Sequence, residues 1–222
     1  MGLYINAYGI KLDEVYAILG SKDEALYGRI LEHNSFYNLD EPLHGMFTTD
    51  SEIPISKAIH DLVYDDRDAI KADAFALLCI CQYVEKTLPD SLDIKSGVHT
   101  AQINKILAKD FKLRNFDIEV LLQSPFYLFD LPDIYRELDI EPYECPVMGI
   151  LTQANLRYLK NRFRKIKISD ETITELINSG DPEAAVLSED QLKGYDYRII
   201  KWIIEDIDYC LDNGVEMFTT LG

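Results

Sequence analysis

Several features that mark common protein classes are scarce in this chain of 222 residues. Its four cysteines include no pair with zinc-site or redox-motif spacing, which favours buried thiols in a reducing compartment. Its eleven glycines form no phosphate-cradling loop and no dinucleotide fingerprint. The longest apolar runs are far shorter than the roughly 20 residues of a membrane span, and the opening MGLYINAYGI lacks the basic region of a signal peptide. We therefore expect a cytoplasmic protein with no cofactor and no metal site.

Basic residues are also scarce. The chain has 22 Lys and Arg against 39 Asp and Glu, a net charge of −17. A field of this sign repels phosphate backbones and anionic membranes, so we expect neither nucleic acid nor membrane as a partner. Two interpretations of the acidity stay open: a basic protein partner, or solubility alone.

No local motif indicates catalysis. The four histidines, His33, His44, His60 and His99, form no i, i+4 pair, and no G-x-S-x-G elbow is present. A site assembled from distant residues leaves no local pattern, so whether the chain is an enzyme stays uncertain. The lack of motifs weighs against an enzyme.

The pattern of apolar residues predicts one mostly helical α+β domain spanning residues 1–222. Residues 3–10 and 215–221 are rich in β-branched and aromatic side chains, which favours strands. We expect these N-terminal and C-terminal strands to pair in a small antiparallel sheet. A short strand is expected near 147–151.

Helical signals fill most of the chain between the two terminal strands. The strongly apolar segment 67–88 predicts a central helix. Ser21 followed by Glu24 predicts a capping box that opens another helix. Ser and Thr at 152, 169 and 188 predict three further helix starts, and Asn213-Gly214 predicts the end of the last helix.

Residues 124–147 differ in composition from the rest. They hold four of the eight prolines together with several aromatic and acidic residues, which predicts a loop-rich surface with one or two helical turns near 132–138. Aromatic side chains rimmed by charge are typical of interfaces. Alternatively, Phe126, Phe129 and Tyr135 fold back and merely cover the helices. The candidate partner-binding residues are Phe126, Tyr127, Phe129, Asp130, Asp133, Glu137 and Asp139.

The stretch 157–167 carries six of the 22 basic residues and no acid. On a helix, Arg157, Lys160 and Arg164 share one flank and form a candidate site for a small anion. The alternative is that these side chains are solvated or pair with acidic neighbours of their own fold.

The opening strand and the following KLDEVYAILGSKDEALYGRI resemble a bacterial family of unknown function. Members of that family begin with a strand, an L-D-x helix and a G-S-x-D-E-x-L stretch. The strand-first, strand-last plan also resembles YfbM-like domains more distantly. These resemblances imply a soluble bacterial α+β protein, and they supply no catalytic residues.

Two functional hypotheses follow. The first is a non-enzymatic binding or immunity-type protein that presents an acidic surface to a basic protein partner. The second is an enzyme or small-anion binder that uses the basic helix at 157–167.

Overall fold

A computed structural model describes residues 4–41, 53–64, 74–89, 93–138, 140, 148–181 and 186–221. The strands within these ranges are β1 (Tyr4–Ile10), β2 (Lys86–Thr87), β3 (Asp93–Lys95), β4 (Met148–Leu151) and β5 (Glu216–Leu221). The helices are α1 (Leu12–Ile18), α2 (Glu24–His33), α3 (Ile55–Tyr64), α4 (Ala74–Val84), α5 (Val98–Lys109), α6 (Ile118–Gln123), α7 (Asp133–Glu137), α8 (Gln153–Phe163), α9 (Asp170–Ile177) and α10 (Glu189–Asn213).

The strands form one antiparallel sheet in the order β2-β1-β5-β4, with β3 also paired to β1. Ile5 lies opposite Leu221 and Ile10 opposite Glu216, so β1 and β5 pair along their lengths. The predicted pairing of the two terminal strands and the mostly helical α+β class are therefore confirmed. The strand β5 also pairs with β4 and so lies inside the sheet rather than at its edge.

Alternating side chains of the sheet face two separate cores, because successive residues of a strand point to opposite faces. Ile10 and Phe218 join a first core with α1, α2, α3, α4 and α7. Ile5 and Met217 join a second core with α5, α6, α8 and α10. The sheet is therefore the middle layer of the fold, with helices on both faces.

The most apolar helix, α4, is central as predicted, since every residue from Ala74 to Cys81 is buried. The prediction that this helix continues to 88 is wrong. It ends at Val84, because Lys86 and Thr87 pair with Gly9 and Tyr8 of β1. Its predicted start near 67 lies outside the described residues.

Most helix ends follow the predicted capping chemistry. Thr152, Ser169 and Ser188 each accept a hydrogen bond from the first turn of their helix, and Gly214 ends α10 at a φ of +62°. The predicted cap at Ser21 is wrong. The carboxylate of Asp23 accepts from the backbone N–H of Leu26 at 3.0 Å, so the cap lies two residues later and α2 begins at Glu24.

None of the helices within the described ranges has the length and apolar character needed to cross a membrane. The same ranges contain no cluster of three or more His, Cys, Asp or Glu that could hold a metal ion.

Candidate functional site

The segment that follows α6 contacts both cores. Residues Pro125–Tyr127 form a single 3-10 turn, and the backbone N–H groups of Leu128 and Phe129 donate to the Pro125 carbonyl at 2.9 Å. The helix α7 begins directly after Pro132, which has no N–H to lose at a helix start. This loop with one short helix agrees with the prediction for residues 132–138.

Aromatic side chains fix this segment on both sides of the sheet. The ring of Phe129 packs edge-on against Tyr158 of α8, with ring centroids 5.6 Å apart, and belongs to the second core. Ile134 and Tyr135 are buried in the first core. Phe129 and Tyr135 thus fold back as the covering alternative describes, whereas the side chain of Phe126 lies outside the described set.

A groove of about 620 Å³ lies between this segment and the start of α8. Four of the candidate partner-binding residues line it: Tyr127, Phe129, Asp130 and Asp133. On the opposite side the groove is lined by Thr152, Ala154 and Asn155. The structure therefore brings together side chains that the sequence grouped by composition alone.

The groove has both apolar and acidic parts. Tyr127 is 72% exposed and Leu128 is 44% exposed, which is unusual for side chains of this size. Asp130 is exposed, and Asp133 forms an ion pair with Arg136. An exposed tyrosine and an exposed carboxylate in one groove can contact both the aliphatic stem and the charge of a lysine or arginine.

The acidic character continues from the groove towards α1. Burial raises the pKa of the Tyr16 hydroxyl, and the negative charges of Glu137 and Asp133 raise it further. Glu137 is exposed on α7 but does not line the groove. Asp139 lies outside the described residues.

The start of α8 gives the groove a rigid wall. The Asn155 side-chain oxygen accepts from the Thr152 backbone N–H and from its hydroxyl, both at 2.9 Å. The Thr152 hydroxyl in turn accepts from the Asn155 backbone N–H at 3.4 Å. This reciprocal capping satisfies donors that a free helix end would leave open.

The basic stretch 157–167 is only partly helical, and only some of its basic side chains line a common hollow. The helix ends at Phe163, and Arg157, Lys160 and Arg164 are all exposed. Lys160 Nζ lies 2.8 Å from a carboxylate oxygen of Asp208 on α10, and this ion pair raises the pKa of Lys160. Lys160 and Arg164 line a hollow of about 220 Å³, while Arg157 lies outside that lining.

A second, larger cleft between α5 and α10 was not predicted from the sequence. Its wall includes Asp196, which is buried and stands one helical turn before Ile200 of the second core. An acidic residue in line with the buried side chains of an amphipathic helix is the signal that could have indicated this cleft.

Comparison with known proteins identifies a family for this chain. No curated protein matches this chain, and no solved structure matches it. A family model described as a domain of unknown function matches residues 1–200, in agreement with the expectation of an uncharacterised family. Because the match covers most of its length, the chain belongs to the DUF7691 family.

Proposed function

We propose that this protein binds a basic segment of a protein partner in the groove between residues 127–136 and the start of α8. The observation that carries the proposal is the exposure of Tyr127 and Leu128 beside Asp130 in a groove of about 620 Å³. Binding energy at interfaces concentrates on such aromatic anchors, with charged side chains at the rim. An immunity-type role, in which the bound segment belongs to a basic toxin, is one form of this function.

The charge of the chain supports a basic partner. The net charge is −17, and residues 117–144 contain eight acids against Arg136 alone. Opposite charge on the partner accelerates the encounter and orients it, while an acidic competitor is repelled. Because Arg136 already pairs with Asp133, Asp130 is the groove carboxylate most available to a lysine or arginine of the partner.

The groove is also held in a fixed shape. Phe129 against Tyr158 anchors the segment to one core, and Ile134 with Tyr135 anchors it to the other. A preorganised surface loses less conformational entropy on binding than a loop that must become ordered. The volume lies within the roughly 300–1,000 Å³ of typical ligand pockets, which is enough for a few partner side chains.

The test compares the protein with Tyr127→Ala/Asp130→Asn in affinity capture from the native host. The captured protein is identified by mass spectrometry, purified and titrated by calorimetry. We expect a basic protein whose dissociation constant rises at least about tenfold with the double variant, equivalent to about 1.4 kcal/mol. Affinity should also fall as salt rises from about 0.1 M to about 1 M, because the Debye length shortens from about 10 Å to about 3 Å.

Phe36→Ala/Asp40→Asn is the matched control. It removes an exposed aromatic ring and an exposed carboxylate from the loop after α2, away from the groove lining. A partner that binds the groove variant as tightly as the unmodified protein would contradict the proposal. An acidic partner, or an affinity insensitive to salt, would contradict it as well.

A further inference from the structure

The cleft between α5 and the first half of α10 has a volume of about 800 Å³ and shares no lining residue with the groove. This volume is within the range of small-ligand sites. Apolar lining comes from Ile106 of α5 and from Leu192 of α10, whose side chain is 48% exposed. The cleft therefore offers an apolar surface bordered by charged side chains.

The two helices contribute opposite charges to this cleft. Lys105 and Lys109 come from α5, whereas Glu189, Asp190 and Asp196 come from α10. Within the described ranges, neither lysine forms an ion pair with these acids. The two walls thus keep their charges available to a ligand that lies between them.

One ion pair between the two walls of the cleft has the opposite arrangement, with the lysine on α10 and the acid directly after α5. Lys193 of α10 lies 2.8 Å from Asp110, which follows α5, and the Tyr197 hydroxyl donates to the same carboxylate at 2.9 Å. The Lys193 ammonium lowers the pKa of Asp110 despite partial burial. The Asp110 carboxylate is therefore paired within the protein, and its contacts fix the spacing of the two helices.

Asp196 is different, because its side chain is 6% exposed and forms no hydrogen bond or ion pair with the described residues. Burial raises its pKa to about 6. The Nδ1 atom of His99, on the opposite helix, is likewise buried without a hydrogen bond in the described part of the chain. Largely buried polar groups are almost always paired, so the Asp196 carboxylate and His99 Nδ1, which line one cleft without a partner in the described part of the chain, require an explanation.

We propose that this cleft binds a small aliphatic zwitterion, with its ammonium group on Asp196 and its carboxylate towards Lys105 and Lys109. The ammonium supplies the hydrogen bonds and the charge that Asp196 lacks, and the alkyl body covers Leu192 and Ile106. A simple anion would leave Asp196 unpaired and face Glu189 and Asp190. A simple cation would be repelled by the two lysines, so the ligand that suits both walls carries both charges.

Matched probes separate these cases. L-leucine and ε-aminocaproate carry both charges, hexylamine carries the ammonium alone, and caproate carries the carboxylate alone. We expect at least one zwitterion to bind at least about tenfold more tightly than either singly charged probe in calorimetric titration. Failure of both zwitterions to bind, or equal binding of hexylamine or caproate, would overturn the proposal.

Two variants test the residue assignment. Asp196→Asn keeps the shape of the side chain but removes its charge, and it should weaken zwitterion binding at least about tenfold. Asp212→Asn is the control, because it makes the same charge change at an exposed site near the other end of α10. Circular dichroism should show both variants folded, since Asp196 forms no hydrogen bond with the described residues that the variant would break. Unchanged affinity in the Asp196→Asn variant would show that Asp196 does not bind the ligand.

The pH profile gives an independent readout. Asp196 must be ionised to hold the ammonium group, so affinity should rise between about pH 5 and about pH 7. A flat profile would contradict ammonium binding at Asp196.

This site and the proposed partner groove can fail separately, because they have no residue in common. The other titratable side chains that line the cleft are those of His99, Lys105 and Lys109 from α5, of Asp110 directly after α5, and of Glu189, Asp190, Lys193 and Tyr195 from α10.

Discussion

The hydroxyl group of Thr219 donates a hydrogen bond to the main-chain carbonyl of Leu122, which lies 97 residues earlier in the chain. The hydroxyl fits there because residue 149 of the neighbouring strand is glycine. A Cβ atom on Gly149 would lie 2.6 Å from the hydroxyl oxygen and 2.8 Å from the Leu122 carbonyl. This contact joins β5 and β4 to α6, directly before the segment that forms the groove.

Replacing Thr219 with valine should destabilise the protein by about 1–3 kcal/mol. The substitution keeps the shape of the side chain, but it leaves the buried Leu122 carbonyl without this donor. Urea unfolding followed by circular dichroism measures the change in the free energy of unfolding. Thr220→Val is the control, because its side chain is half-buried and points to the other face of the sheet. Equal effects of the two substitutions would contradict the assigned role of the hydrogen bond.

Removing residues 214–222 should abolish cooperative unfolding. The deletion takes away β5, which pairs with both β1 and β4, and it exposes the faces of both cores that Met217 and Phe218 cover. Differential scanning calorimetry should show no unfolding transition for the truncated chain. A truncated protein that retained the full transition would show that the sheet does not depend on β5.

Glu85→Gln should stabilise the protein at about pH 8 by about 1 kcal/mol, a value reduced for partial solvent exposure. One carboxylate oxygen of Glu85 is buried without a hydrogen bond in the described part of the chain, and burial raises the pKa to about 7. The folded state therefore holds its proton more tightly than the unfolded chain, whose Glu pKa is about 4.3. The stabilisation that protonated Glu85 contributes is fully present below about pH 4 and is lost as the pH rises through about 7.

Unfolding measured at two pH values shows whether the Glu85→Gln substitution acts through ionisation. Thermal unfolding should show a gain for Glu85→Gln at about pH 8 and little gain at about pH 5. Glu32→Gln, on the exposed side of α2, should show no such difference. The same gain at both pH values would mean that the substitution acts through packing rather than through ionisation.

The anion-binding alternative at Arg157, Lys160 and Arg164 can be tested with inorganic phosphate. Because Lys160 already pairs with Asp208, we expect phosphate to raise the melting temperature no more than chloride of equal ionic strength. The comparison is made for the unmodified protein and for Lys160→Gln/Arg164→Gln. A specific phosphate effect that the double variant abolishes would support the anion-binding hypothesis and contradict this expectation.

The features that the sequence predicted correctly depend on neighbouring residues. The helix caps are examples. Thr152, Ser188 and Gly214 each form their capping hydrogen bond with a residue only a few positions away in the chain. The cap at Ser21 failed because residues before α2 are bound to another helix. The backbone N–H groups of Gly20 and Lys22 donate to carbonyls of Leu62 and Val63, both at 2.9 Å, and hold Ser21 outside the first turn.

The groove and the cleft depend on contacts between distant parts of the chain. Composition identified Tyr127 and Asp130, but the shape of the groove needs the contact between Phe129 and Tyr158. Acidic side chains are usually exposed, whereas Asp196 and Asp206 of the last helix are buried. Helical periodicity places a residue on a face, but the neighbours that bury that face come from elsewhere in the fold.

The position of β5 in the middle of the sheet also bears on how fast the chain folds. The pairs that β5 makes with β1 join the two ends of the described chain, so loops of the largest size must close before the sheet is complete. Folding rates fall as contacts become less local, and partly folded states expose apolar surface meanwhile. We expect refolding to be slow for a mostly helical protein, with aggregation competing until β5 enters the sheet.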